Sequence, residues 1–384
     1  MPACRFSPGL LGAATGLSQY VLPTTPDAWS RLLSQARAEG VAPLIYQRFQ
    51  HGGWPAEVPA TVRHSFECAY RESATRNFAL YHEMGRLLDA MEAAGIEAVV
   101  LKGAALAGLL YENIALRPCS DLDLLTPLAQ AEDAVRLLHG LGYQPKVPEL
   151  FPDAEKLLSM HAVLARDGGL PITVELHWSL VSSPNDRRSP SVGWFLSHTQ
   201  SAALPCCAAR ILMPEANLLH LCAHLTLQHG GPRARLIWYC DVDRLVRQYD
   251  DGMDWDMVMR QAAAFHWSAP VHLVLSNCAR MFETPVPSAV LQSLAADAAK
   301  TPTMHSILFR LRTFPHQTKV LSGIATVLGL SSRRAAWQVL VRMVFPTRAY
   351  MVWRYTPERP QLWPLTYPYR WWLILQGIWR RVGD

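Results

Sequence analysis

The chain has 384 residues, half of them hydrophobic and 17% charged, with a mean hydropathy of +0.05. This composition can bury a sizeable core and excludes intrinsic disorder as a general description; at roughly 100–200 residues per domain, the length fits two or three domains. A net charge of +5 suits phosphate-bearing ligands without requiring nucleic acid, and no apolar run reaches the roughly 18–20 residues that a spanning helix needs.

The first twenty residues, MPACRFSPGLLGAATGLSQY, contain one early arginine and a broken apolar stretch, so no signal peptide is expected. Residues 29–36 place Trp29, Leu32, Leu33 and Ala36 at helical spacing. After a Gly/Pro loop (HGGWPAEVP), residues 62–94 carry a long amphipathic helical pattern that stops at Gly95. The character then changes. Residues 96–101 (IEAVVL) read as a buried strand, 104–111 as a helix, and 121–125 (DLDLL) as a half-buried strand. Residues 128–141 read as helix, and 161–166 with 172–178 as a hairpin turning at Asp167-Gly168-Gly169. A Ser/Pro/Arg-rich loop at 182–191 precedes helical patterns over 214–247 and 255–281. The remainder is rich in Arg, Trp, Tyr and Pro. Eight dispersed cysteines include no CxxC pair, the habit of buried thiols in a reducing compartment, so a soluble cytoplasmic protein is expected. The expected class is α+β. Four regions follow: helical residues 1–94, an α+β core at 95–182, a helical domain at 205–300, and a basic Trp/Arg-rich helical region at 301–384.

The chemistry concentrates between Val99 and Pro127. Asp121 and Asp123 are two apart on a strand, so both carboxylates leave one face. Together they can hold a hard dication such as Mg²⁺. A lone DxD is weak evidence, and the chain contains its own control: Asp241-Val242-Asp243 has the same spacing on a helical pattern, where residues two apart diverge. That second pair reads as helix surface or a packing contact. Lys102-Gly103 closes a strand and opens a helix, where free N–H groups and a lysine can face phosphate. Glu175 alternates with Val174 and Leu176 on the later strand and shares its face with His177. A third carboxylate there would complete a two-metal site. His220 and His224 are i, i+4 on a helix, but no HExxH pattern surrounds them, and they read as core or helix-face histidines.

The block LKGAALAGLLYENIALRPCSDLDLLTP resembles the defining segment of the uncharacterised nucleotidyltransferase family within the DNA polymerase β-like superfamily. The pattern falls on Leu101, Lys102, Gly103, Tyr111, Arg117, Asp121, Asp123 and Leu125. Val174-Glu175-Leu176-His177-Trp178 resembles the family's later strand. His224, Gln228-His229, Arg235-Leu236-Ile237-Trp238 and Asp241 resemble its helical segment. The superfamily's usual Gly-Gly/Gly-Ser turn is replaced here by Lys102-Gly103-Ala104, which leaves phosphate binding to Lys102 or backbone N–H groups.

The resemblance implies a small mixed or antiparallel nucleotidyltransferase sheet flanked by helical regions. It implies transfer of an NMP group from an NTP, with ATP the representative nucleotide, to an acceptor hydroxyl on a small molecule, peptide or protein. Asp121, Asp123 and Glu175 would hold two Mg²⁺ ions, with Glu175 also a candidate base. Lys102, Gly103, Arg117, Ser120 and His177 would lie at the nucleotide. Two other classes compete: a nucleotide-sugar glycosyltransferase using the DxD, and a non-catalytic nucleotide-binding scaffold. The basic tail is expected to pack as a helix with a solvated face, with a membrane surface or an acidic partner as its alternative ligands.

Overall fold

A computed structural model describes residues 5–146, 159–168, 170–181, 190–229, 234–301, 330 and 332–379. Four helices come first: α1 (Pro8–Thr15), α2 (Pro26–Glu39), α3 (Ala42–Gly52) and the 34-residue α4 (Ala60–Ala93). The Ser7 and Thr25 side chains accept from the first-turn N–H groups of α1 and α2 and so cap them. Past α4, Gly95 adopts φ +67°, a left-handed turn that favours glycine.

The α+β core follows: β1 (Val99–Leu101), α5 (Lys102–Leu110), β2 (Leu122–Leu125), α6 (Ala131–Gly140), β3 (Gln144–Pro145), β4 (His161–Arg166) and β5 (Ile172–His177). A short helix α7 (Val192–Ser197) leads into β6 (Thr199–Leu204) and β7 (Cys207–Leu212), a hairpin absent from the sequence expectation. Its residues, TQSAAL and CAARIL, are poor in β-branched and aromatic side chains, so their strand character comes from pairing with each other and with β1. The sheet has seven strands in the order β3-β4-β5-β2-β1-β7-β6. It is mixed, with β2–β5 and β1–β7 parallel and the other pairings antiparallel. Among the described residues there is no doubly wound parallel half of the kind a nucleotide-sugar glycosyltransferase needs.

The region expected as one helix over 214–247 is two: α8 (Pro214–Ala223), widened at its end by a π turn (His224–Gln228), and α9 (Leu236–Gln248). Gly230-Gly231-Pro232 stand between them in sequence and lie outside the described residues. The next pattern also divides, into α10 (Trp255–Ala264) and α11 (Ser268–Phe282). His266 at φ +56° turns the chain there. Helix α12 (Ser288–Lys300) completes this part, and α13 (Arg333–Val344), α14 (Arg348–Tyr355) and α15 (Thr366–Trp379) form the described C-terminal helices. The Ser/Pro/Arg-rich loop at 182–189, the hairpin's Gly169 and tail residues 302–329 and 380–384 lie outside the described residues.

The sheet is covered on both faces. One apolar cluster joins Val100, Leu122, Leu124, Val174 and Leu176 to Leu80, Met84 and Leu87 of α4 and Leu138 of α6. The other joins Val99, Leu101 and Leu125 to the N-terminal helices and to α8–α12. Antiparallel register sets Leu101 opposite Asp123 and Val99 opposite Leu125, so Asp123 shares the second face. That face is apolar along most of β1 and β2 and polar at one end, where the candidate site lies. No helix among the described residues is long and apolar enough to cross a membrane.

Candidate active site

Strand register assembles the site. Parallel pairing of β2 with β5 sets Asp123 beside Glu175 and Leu125 beside His177. Antiparallel pairing of β4 with β5 then sets His161 beside His177. With the two-residue side-chain period of strands, Asp123, Glu175, His177 and His161 all leave one face. Val174 and Leu176 leave the other and are fully buried, as their alternation predicts.

Asp123 is 4% exposed and accepts two hydrogen bonds, from Lys102 Nζ at 2.7 Å and from His177 Nε2 at 2.9 Å, both on Oδ1. Burial opposes its charge, yet Lys102 and His177 outweigh that and hold its pKa well below the usual carboxylate range. The His177 ring lies 3.5 Å from Glu175 Oε2, and this contact lowers the Glu175 pKa against the raising effects of burial and Asp123. Asp121, one residue before β2, has a pKa above its ordinary value because it is partly buried beside the negative Asp123 and Glu175. Three carboxylates therefore act on one another around a single buried ammonium, Lys102.

Lys102 reaches Asp123 with its side-chain ammonium. It sits at the β1-to-α5 junction with φ +45°, a left-handed conformation costly for a side-chain-bearing residue. Gly103 follows for a steric reason: a Cβ there would lie 2.5 Å from Arg117 Nη1. Ser120 is exposed and hydrogen-bonds Asp121, lowering that carboxyl's pKa. Its carbonyl and that of Cys119 accept from Arg76 of α4. Asn77 donates to the Arg117 carbonyl at 2.8 Å and accepts from Cys119 N–H at 3.1 Å. This brace on the loop before β2 was not read from the sequence, since nothing local marks α4 residues as partners of a loop some forty positions on.

Arg117, expected at the triphosphate, is engaged inside the protein. Its guanidinium is buried, with Nη2 2.8 Å from Asp241 Oδ2 and Nε 3.3 Å from both carboxylate oxygens. Tyr111 donates to Asp241 Oδ1 at 2.6 Å, and burial and Asp241 push the Tyr111 phenol well above its ordinary pKa. Tyr111, Arg117 and Asp241 thus form an internal ion-pair network that ties the loop before β2 to α9. Asp241 itself is fully buried, a packing contact and not helix surface. Asp243 is turned elsewhere, accepting from Thr284 at 2.6 Å and Arg247 at 2.9 Å.

The histidines of α8 border the same region. His220 is fully buried and both of its ring nitrogens lack a hydrogen-bond partner among the described residues. Burial and the charges of Lys102 and His177 push its pKa down to about 3. His224 hydrogen-bonds Gln228 and packs edge-on against Trp238 and His229. His161 was not singled out from the sequence, because it pairs with His177 only through a hairpin register sixteen residues wide.

Residues 25–283 match the family described as uncharacterised nucleotidyltransferase. In a search of solved structures, an antigenic nucleotidyltransferase-like protein from Paracoccidioides brasiliensis is similar at 16% identity and a TM-score of 0.34, covering 58% of this chain and 94% of that one. A search of curated proteins finds no match. With more than half of the chain matched, and the matched span containing the sheet, the carboxylate cluster and the Arg117–Asp241 network, the protein belongs to this uncharacterised nucleotidyltransferase family.

Proposed function

We propose that this chain is a divalent-metal-dependent nucleotidyltransferase that moves an NMP group from an NTP to an acceptor hydroxyl. The observation that carries the reading is the meeting of Asp121, Asp123 and Glu175 around Lys102 at one end of one sheet face. The donor set suits the cation: three hard carboxylates with one ammonium leave a negative surplus, and burial first, then the neighbouring Asp123 and Glu175, raise the Asp121 pKa. Asp121, Asp123 and Glu175 would hold the ions, which when bound neutralise charge on the attacking and leaving oxygens.

The protein's own groups do the rest. Asp123 and Glu175 have lowered pKa values, so both are charged at neutral pH and suit cation holding better than proton abstraction. Asp121 has the highest proton affinity of the three and is the better acceptor for the hydroxyl proton. Lys102 and the N-terminal N–H groups of α5 meet the phosphates. Arg117 acts from behind, holding the loop that carries Ser120 and Asp121.

The test is transfer of labelled nucleotide, with pyrophosphate release, from each NTP to candidate acceptors in Mg²⁺. Asp123→Asn is expected to lower transfer by about 10²–10³-fold. Equal transfer by wild type and variant would overturn the reading.

For the C-terminal helices we infer docking on an anionic bilayer surface. Residues 301–384 hold 12 of the 36 Lys and Arg but 2 of the 31 Asp and Glu, a net +10 that leaves the first 300 residues at −5. Trp337, Leu340, Val341 and Val344 follow i, i+3, i+4, i+7 spacing on α13 and are exposed, Trp337 at 68%. Such a stripe beside arginines and interfacial aromatics suits a charged bilayer. Vesicles of phosphatidylglycerol should sediment the protein and vesicles of phosphatidylcholine should not, with Trp337→Ala weakening the binding. Failure to sediment with anionic vesicles, or retention by a soluble acidic polypeptide in their place, would overturn it.

A further inference from the structure

The β4–β5 hairpin adds two imidazoles to Glu175, nitrogen donors that a Mg²⁺ site does not favour. His161 and His177 face each other across it, ring centroids 4.9 Å apart and tilted by 48°. Glu175 lies two residues before His177 on the same face. One ligand atom from each of His161, Glu175 and His177 lies within 4.8 Å of the other two.

Two of the ring nitrogens are orphaned. The Nδ1 atoms of His161 and His177 are buried and have no hydrogen-bond partner among the described residues. A buried polar atom left without a partner is costly, so each is better explained by a ligand than by packing alone. His177 Nε2 lies 2.9 Å from Asp123 Oδ1 and 3.5 Å from Glu175 Oε2, so a carboxylate orients the ring, as in the recurrent outer-shell arrangement of metal-binding histidines.

We propose that His161, Glu175 and His177 form a binding site for a borderline transition-metal dication of the Zn²⁺ type, next to the all-oxygen pair Asp121 and Asp123. Imidazole nitrogen favours Zn²⁺, Co²⁺ or Ni²⁺, whereas Mg²⁺ prefers carboxylate, phosphate and water oxygens. Metal–ligand bonds of about 2.0–2.2 Å put tetrahedral ligand atoms about 3.3 Å apart, so the three groups close by at most about 1.5 Å, within reach of side-chain rotation. Two histidines and a carboxylate leave the fourth position open to water or a ligand oxygen. The site stands on the hairpin's geometry and does not depend on nucleotidyl transfer.

The full-length protein, free of nucleotide, is titrated with Zn²⁺ by calorimetry and with Co²⁺ by visible d–d absorption, each in excess Mg²⁺. Wild type is expected to take one equivalent of either ion without displacement by Mg²⁺. His161→Ala is expected to weaken Zn²⁺ by about 100-fold or more, His161→Cys to retain it, and Asp121→Asn to leave it unchanged. Circular dichroism melts establish that each variant is folded. No Zn²⁺ uptake, displacement by Mg²⁺, or affinity in His161→Ala equal to wild type would overturn the site. Because no NTP is present, that failure is separate from any failure of the transfer reading.

Discussion

Asp241 and Gly103 show how single residues outside the carboxylate cluster set its position. Asp241 neutralises a buried Arg117, and removing one member of a buried pair leaves the other charge uncompensated, at about 3–5 kcal/mol. Asp241→Ala should therefore lower unfolding free energy by that amount in denaturant melts. Replacing both residues together, as Arg117→Met with Asp241→Leu, should cost less than the single change. Gly103→Ala drives a Cβ to 2.5 Å from a guanidinium that Asp241 holds in place. Destabilisation of about 1–3 kcal/mol is expected, and Asp241→Ala should make the same glycine substitution better tolerated. A double-mutant cycle measures that coupling.

Between elements, an acid-sensitive joint ties α4 to the sheet. Glu83 of α4 accepts from Tyr143 at 2.6 Å, Arg86 at 2.6 Å and Arg166 of β4 at 2.8 Å. Burial raises its pKa, but the hydrogen bonds from Arg86 and Tyr143 and the charges of Arg86 and Arg166 outweigh it and the net shift is downward. A carboxylate whose folded pKa is depressed adds stability above its unfolded pKa, near 4.5, and loses it as pH falls through the folded value. Glu83→Gln should accordingly be less stable than wild type at pH 7, by about 1.5–3 kcal/mol for charged hydrogen bonds. The difference should close as pH falls below 4.5 and through the depressed folded value; thermal melts of both proteins across that range read it. Strands β4 and β5 were legible because their apolar residues alternate, with Val174 and Leu176 on one side and Glu175 and His177 on the other. The β6–β7 hairpin was not, because Ala, Ser and Cys carry little strand preference and only the neighbouring β1 and the partner strand decide their conformation.

For the whole molecule, the apolar cluster on the site's face runs without interruption from Phe6 to Leu294, joining N-terminal helices, sheet and α8–α12. Elements that share one core lose it together. Calorimetry should show one main unfolding transition for this part of the chain, and Trp29→Ala, at a fully buried position in that cluster, should lower it as a unit by about 3–5 kcal/mol. Separate transitions for the N-terminal helices and the sheet would contradict this.

By itself the sequence determined the local matters: the helical spacing of α2 and α4, the strand alternation around Asp123 and Glu175, the Lys102-Gly103 turn, and the difference between a DxD on a strand and one on a helix. These are set by periodicity and by residues within a few positions of one another. Only the tertiary structure decided what is distant in sequence. Arg117 finds Asp241 across 124 residues, Asn77 and Arg76 grip a loop some forty residues on, and His161 meets His177 through pairing register. No local pattern encodes such partners. Their cost and benefit arise from burial, which removes water as the competing ligand and makes each charge or ring nitrogen depend on whichever group the fold places beside it.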